Sequence, residues 1–126
     1  MILGTGIDII EVARIAASFE KFGERFLNRI LRPAEITYAL SHKNPAPFLA
    51  ARFAAKEATM KAFGLSEAGV GWRDIEVTRA ADGACSLALH ARAAEWAERS
   101  GCTQISVSLS HDGDYATAVV AALAPR

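Results

Sequence analysis

Residues 48–64 read FLAARFAAKEATMKAFG, and their pattern decides the fold. Alanine recurs throughout, and Leu, Arg, Lys, Glu and Met all enter a helix with little loss of side-chain freedom. Gly64 stands where a helix stop belongs. The run from about Phe48 to Phe63 is the longest helical pattern in the chain. Its apolar stripe passes through Leu49, Phe53 and Met60. Glu57 lies beside that stripe, one turn past Phe53, and Lys61 follows it at i+4. Arg52 and Lys56 line the other edge.

Upstream, Asn44, Pro45 and Pro47 mark a loop, and Pro33 opens a short helix carrying Glu35 and Tyr38. Residues 24–31 continue in helical style. From Glu11 to about Phe22, Val12, Ile15, Ala16 and Phe19 fall on one helical side, with Gly23 as an interruption. Ile2 to Ile10 is β-branched and apolar on both faces, which predicts a buried strand. Downstream, 65–71 reads as a loop and Trp72 to Thr78 as a strand. The Asp82-Gly83 turn leads into a second strand, Cys85 to Leu89. A helix over Ala91–Arg99 closes at Gly101. Gln104–Ser110 and Tyr115–Leu123 alternate as strands around the Asp112-Gly113 turn. The sum is one compact α+β domain over 1–126, with a mainly antiparallel sheet and a long helix.

The chain has 126 residues, 52% of them apolar, which is enough for one modest core and excludes disorder. Net charge is zero, so only local charge patterns speak of partners. Cys85 and Cys102 lie far apart without a CxxC, which gives neither a zinc framework nor a redox motif and suits a cytoplasmic protein. Met1–Ile10 lacks a basic region and is interrupted by Asp8, so it does not read as a signal peptide. No stretch approaches the roughly 20 apolar residues of a membrane helix.

Several residues resist a purely structural account. Asp8 sits inside an apolar strand, where a carboxylate is costly unless paired, neutralised or bound to a metal; the plainer alternative is that it caps the following helix. Glu57 and Lys61 alone make a surface pair of little weight. With a second carboxylate nearby, the same helix face becomes a place for Mg²⁺, which prefers hard oxygen ligands. Ser108-Leu109-Ser110-His111-Asp112 ends a strand, where functional groups tend to sit, although strand neighbours point to opposite faces and make no Ser–His dyad. His42 and His90 carry no motif and read as surface residues. At about 100° per residue, Arg14, Lys21, Arg25, Arg29 and Arg32 fall within roughly 80° on a continuous helix, a stripe suited to an acidic protein surface or a phosphate backbone. No strand face interleaves aromatic and basic residues, so RNA is not indicated.

Read together, Gly6-Ile7-Asp8-Ile9-Ile10-Glu11-Val12 with Arg14-Ile15, Arg52-Phe53-Ala54-Ala55-Lys56-Glu57-Ala58 with Lys61-Ala62-Phe63-Gly64, Trp72-Arg73-Asp74-Ile75-Glu76-Val77, and Val107-Ser108-Leu109-Ser110-His111 resemble the holo-(acyl-carrier-protein) synthases. These are the small single-domain phosphopantetheinyl transferases. The blocks keep that family's order and cover the chain from end to end. The resemblance implies a cytoplasmic enzyme that moves the phosphopantetheine arm of coenzyme A onto a serine of apo acyl carrier protein, of fatty-acid or polyketide synthesis, with Mg²⁺. It implies homotrimers with sites between neighbouring subunits, and no part for nucleic acid or membrane. By it, Asp8 and Glu57 match metal-binding carboxylates, and Glu57 is the candidate base. Lys61 matches a lysine on the coenzyme A phosphates. Arg52 and His111 match positions near the 3′-phosphoadenosine end. Arg14, Lys21 and Arg25 fall where the family's first helix docks the carrier.

Two departures stand out. The family usually continues Gly-Thr-Gly after the long helix, and here Leu65-Ser66 follow Gly64. Asp112 follows His111 where a small residue is usual, and a carboxylate there is unfavourable to a phosphate unless it points away. The rival readings are a coenzyme A- or nucleotide-binding module without transfer chemistry, and a protein-interaction domain using its basic stripe.

Overall fold

The computed structural model describes residues 1–64 and 69–126. β1 (Ile2–Glu11) runs directly into α1 (Val12–Phe22), followed by α2 (Glu24–Ile30), α3 (Pro33–Leu40) and α4 (Ala46–Phe63). A 3₁₀ turn at Trp72–Asp74 leads to β2 (Ile75–Arg79) and β3 (Cys85–Leu89), then α5 (Ala91–Ser100), β4 (Gln104–Asp112) and β5 (Tyr115–Leu123). The class is α+β as expected. The described strands divide between two antiparallel sheets, one in the order β1-β5-β4 and the hairpin β2-β3.

α4 lies along one face of the larger sheet. Its Ala50, Ala51, Ala54, Ala55 and Ala58 are buried together with Ala116, Ala118 and Val120 of β5. Small side chains on both sides bring helix and sheet close, and the approach is tightest at β1. A Cβ on Gly4 would fall on the carbonyl oxygen of Ala62, and one on Gly6 on that of Ala58. Only glycine permits that contact.

Four expectations need correction. β1 is not buried on both faces: Gly6, Asp8 and Ile10 share the side turned to α4, while Ile7 and Ile9 each remain 65% exposed. An apolar run reads as two-sided burial only if a second layer covers it, and the described residues of one copy supply none there. Trp72–Asp74 is a turn and not strand, because the Asp74 carboxylate accepts a hydrogen bond from the Gly71 N–H (3.1 Å) and curls the segment. The basic stripe does not lie on one helix. Gly23, at φ +58°, ends α1, and Arg32 precedes α3 with its Nε donating to the Arg73 carbonyl at 2.7 Å.

The fourth correction concerns the edge of α4 that carries Lys56, which is interior. Lys56 is fully buried, and its Nζ donates to Glu35 Oε1 (3.0 Å), the Trp72 carbonyl (3.0 Å) and the Ile75 carbonyl. Glu35 also accepts from the Arg32 N–H (2.8 Å) and the Val77 N–H (3.0 Å). Burial pushes the Lys56 ammonium below the ordinary lysine range, and Glu35 opposes that shift. One ion pair thus ties α3, α4, the 3₁₀ turn and β2 together.

Candidate functional site

The polar residues gather where β1 crosses the last turns of α4. Gly6 rests on Ala58, so Asp8, two residues on, and Glu57, next to Ala58, come to the same crossing. Lys61 Nζ lies 3.1 Å from Asp8 Oδ1 and donates to the Ile7 carbonyl at 3.0 Å. The Asp8 side chain is 17% exposed and that of Lys61 56%. Asp8 does not cap a helix: it pairs with Ala118 in mid-strand, and the residue before α1 is Glu11, which makes no side-chain cap bond. Nor do Glu57 and Lys61 form an ordinary surface pair. Lys61 bonds Asp8, and Glu57 Oε1 instead accepts the indole N–H of Trp72 at 2.7 Å. Glu57, Lys61, Gly64, Gly71 and Trp72 line one open cavity.

Arg52 and His111 stand elsewhere. Arg52 is buried, and its guanidinium lies 4.3 Å from the Tyr38 ring centre; the guanidinium of Arg79 lies 5.0 Å from the same ring. His42 stacks on Phe48 at 3.5 Å, and His111 meets Phe48 edge-on at 5.0 Å. Burial lowers the pKa of Arg52 from its ordinary value, yet a guanidinium stays charged. Among the described residues no carboxylate forms an ion pair with Arg52 or Arg79. Positive charge among aromatic planes suits a phosphate or a flat ring. Lys61 lies nine positions after Arg52, roughly 13 Å along the helix axis. The chain therefore joins Lys61 to Asp8 by a bond and to Glu57 by a shared cavity, and sets Arg52 with His111 apart. His42 and His90 are not plain surface residues, since the second sits 2.9 Å from Glu76 Oε1.

Arg14 and Arg29 line a hollow together with Ile15, Ser18, Phe26 and Trp72. Arg25 and Arg29 line the adjoining one with Phe22, whose ring lies 5.3 Å from the Lys21 ammonium. Asp112 pairs with Tyr115 at the exposed end of the β4–β5 ladder. Leu65-Ser66 lie outside the described residues. Sequence reasoning missed Trp72, Lys56, Glu35 and Arg79. A lysine within an alanine-rich helical run was the available signal for Lys56, because small neighbours imply close burial on that side.

The model of the 4′-phosphopantetheinyl transferase superfamily matches residues 4–120, and the chain belongs to that superfamily. Among its relatives, the holo-[acyl-carrier-protein] synthase of Koribacter versatilis is 51% identical over 121 residues, covering 95% of this chain and 97% of that protein. The holo-[acyl-carrier-protein] synthase of Helicobacter pylori, solved in complex with coenzyme A, shares 32% identity at a TM-score of 0.83, covering 94% of this chain and 99% of that one. The acyl carrier protein synthase of Plasmodium yoelii, solved with ADP bound, shares 29% identity at a TM-score of 0.88, covering 100% of this chain and 98% of that one. The resemblance read from the sequence blocks is thereby borne out.

Proposed function

We propose that this chain transfers 4′-phosphopantetheine from coenzyme A to a serine hydroxyl of an apo acyl carrier protein, with Mg²⁺, and releases 3′,5′-ADP. The observation that carries the reading is that Glu57 and Lys61 line one cavity and Lys61 bonds Asp8, in a chain of this family. The serine oxygen bonds to the β-phosphorus of coenzyme A, and the bond from that phosphorus to the bridging oxygen breaks. Its electron pair leaves with 3′,5′-ADP. Catalysis of such a transfer is mainly positioning and charge stabilisation.

Lys61 offers its ammonium to the pyrophosphate oxygens. Glu57, directly or through a water, takes the serine proton. Asp8 and Glu57 are the residues that would hold Mg²⁺. Among the described residues no cluster of three or more His, Cys, Asp or Glu exists, and two carboxylates with phosphate and water completing the shell is an arrangement that ion accepts. When bound, the ion supplies neutralisation of the pyrophosphate charge. Arg52 and His111 receive the 3′-phosphoadenosine end.

The outer face of the larger sheet leaves Ile7, Ile9, Tyr115 and Val119 exposed, as a subunit interface would require. In a homotrimer with shared sites, the Arg52 cluster of one copy could serve the Glu57 site of the next. The protein should then sediment as a trimer, and Ile7→Asp, which alters an exposed side chain, should yield folded monomers with transfer lost. A trimeric Ile7→Asp would remove this face from the interface. Arg14, Lys21 and Arg25 would dock the acidic carrier. Reversing all three to Glu should raise KM for the carrier by roughly tenfold or more while leaving coenzyme A binding unchanged. An unchanged KM would free those residues of the role.

No described helix is long and apolar enough to cross a membrane. We place the reaction in the cytoplasm, with one transferase domain over 1–126, serving fatty-acid or polyketide carriers. The deciding experiment mixes protein, apo carrier, coenzyme A and Mg²⁺ and weighs the carrier. A gain of one phosphopantetheine, lost in EDTA, is expected. Coenzyme A binding that survives EDTA with no gain on any carrier would instead identify a binding module.

A further inference from the structure

We propose that Trp72 is a positioning residue for Glu57, and that the buried Glu35–Lys56 pair exists in part to hold Trp72 there. The proposal rests on the reading of Glu57 as a residue of the transfer site. Consecutive residues of α4 grip Trp72 at both ends: Lys56 Nζ donates to its backbone carbonyl at 3.0 Å, and Glu57 Oε1 accepts from its indole N–H at 2.7 Å. Lys56 cannot wander, because it is fully buried and bonded to Glu35 and the Ile75 carbonyl as well. The indole rests against Phe53 at 5.7 Å between ring centres. A 3₁₀ turn beside a loop is a poor anchor by itself, and these contacts make it a firm one.

The consequence for Glu57 is direct. A glutamate has three side-chain torsions, and a half-exposed one samples several rotamers. The indole bond commits Oε1 and so restricts the positions open to Oε2. Trp72 also lines both the hollow of Arg14 and Arg29 and the cavity of Glu57 and Lys61. The residue that orients the carboxylate therefore stands between the basic docking surface and the cavity, where donor and acceptor would meet. Partners that orient a ligating group typically contribute about 10–100-fold in metal affinity or activity.

The test is Trp72→Phe in the full-length protein, which keeps an aromatic ring against Phe53 and removes the N–H together with the five-membered ring that carries it. We expect kcat to fall about 10–100-fold, and Mn²⁺ affinity without substrates, read by electron paramagnetic resonance, to weaken about tenfold. On a Glu57→Ala background, Trp72→Phe should weaken Mn²⁺ binding no further, a non-additivity that a merely structural role would not produce. Parent kcat and parent Mn²⁺ affinity in Trp72→Phe, beside an active parent, would overturn the proposal and leave the transferase reading standing. A parent that neither transfers nor binds Mn²⁺ would bring down that reading itself. Should Trp72→Phe fail to fold, the ¹⁵N-indole signal of Trp72, assigned against Trp96→Phe, decides. It should move and exchange faster in Glu57→Ala, and an unmoved signal would overturn the proposal.

Discussion

Glu57→Ala is expected to abolish transfer, and Asp8→Ala to do the same, with both variants melting close to the parent. A phosphoryl transfer gives the protein little covalent work, so the loss of charge and position at one point is felt in full. A positioned base alone contributes typically about 10²–10⁴-fold. Here each carboxylate would also be half of the protein's share in holding the cation, so the two losses coincide. The fold tolerates both changes for visible reasons. Lys61 keeps its bond to the Ile7 carbonyl when Asp8 is gone, and Glu57 borders an open cavity where water can meet the Trp72 N–H. Glu57→Gln sharpens the test, because an amide oxygen can still accept from the indole while the charge is lost. Following the mass of the carrier over time, beside a melting curve, settles the matter: near-parent rates in any of these variants would place the acceptor and the cation elsewhere.

Lys56→Met should damage the protein in the opposite way, through stability first. Removing one partner of a buried ion pair costs about 3–5 kcal/mol, against a total stability of about 5–15 kcal/mol. Glu35 would stay fully buried with its charge uncompensated, the Ile75 carbonyl would lose the ammonium, and the Trp72 carbonyl would keep only the Ile75 N–H. Adding Glu35→Leu should recover only part of the loss, since the Arg32 and Val77 N–H groups then lack their acceptor. Urea midpoints of the parent and both variants measure this. An unchanged midpoint in Lys56→Met would mean that water reaches the pair.

Element types along the chain were legible from periodicity, and so was the pairing of β2 with β3 from the Asp82-Gly83 turn. The acidic pair was legible for a simple reason: a carboxylate inside an apolar strand, and a second beside a helix stripe, are expensive anomalies that a sequence displays. The bare face of β1 was not, because Ile7 and Ile9 look the same in sequence whether this chain or another copy covers them. Lys56 was misplaced because a one-dimensional pattern assigns charge to the surface, and its partner Glu35 lies 21 positions away. Trp72 escaped because its role depends on a turn made by the Asp74 carboxylate, and a β-branched run after it outweighs that signal.

At Gly4 and Gly6 strand and helix touch main chain to main chain, with no shim between them. The gap between the acidic residue on the strand and its counterpart on the helix is therefore gauged by peptide dimensions, which exchanges elsewhere in the interior leave alone. Lineages descending from this sequence can swap interior side chains generation after generation and still inherit the same calibre, provided those two positions never acquire a methyl group.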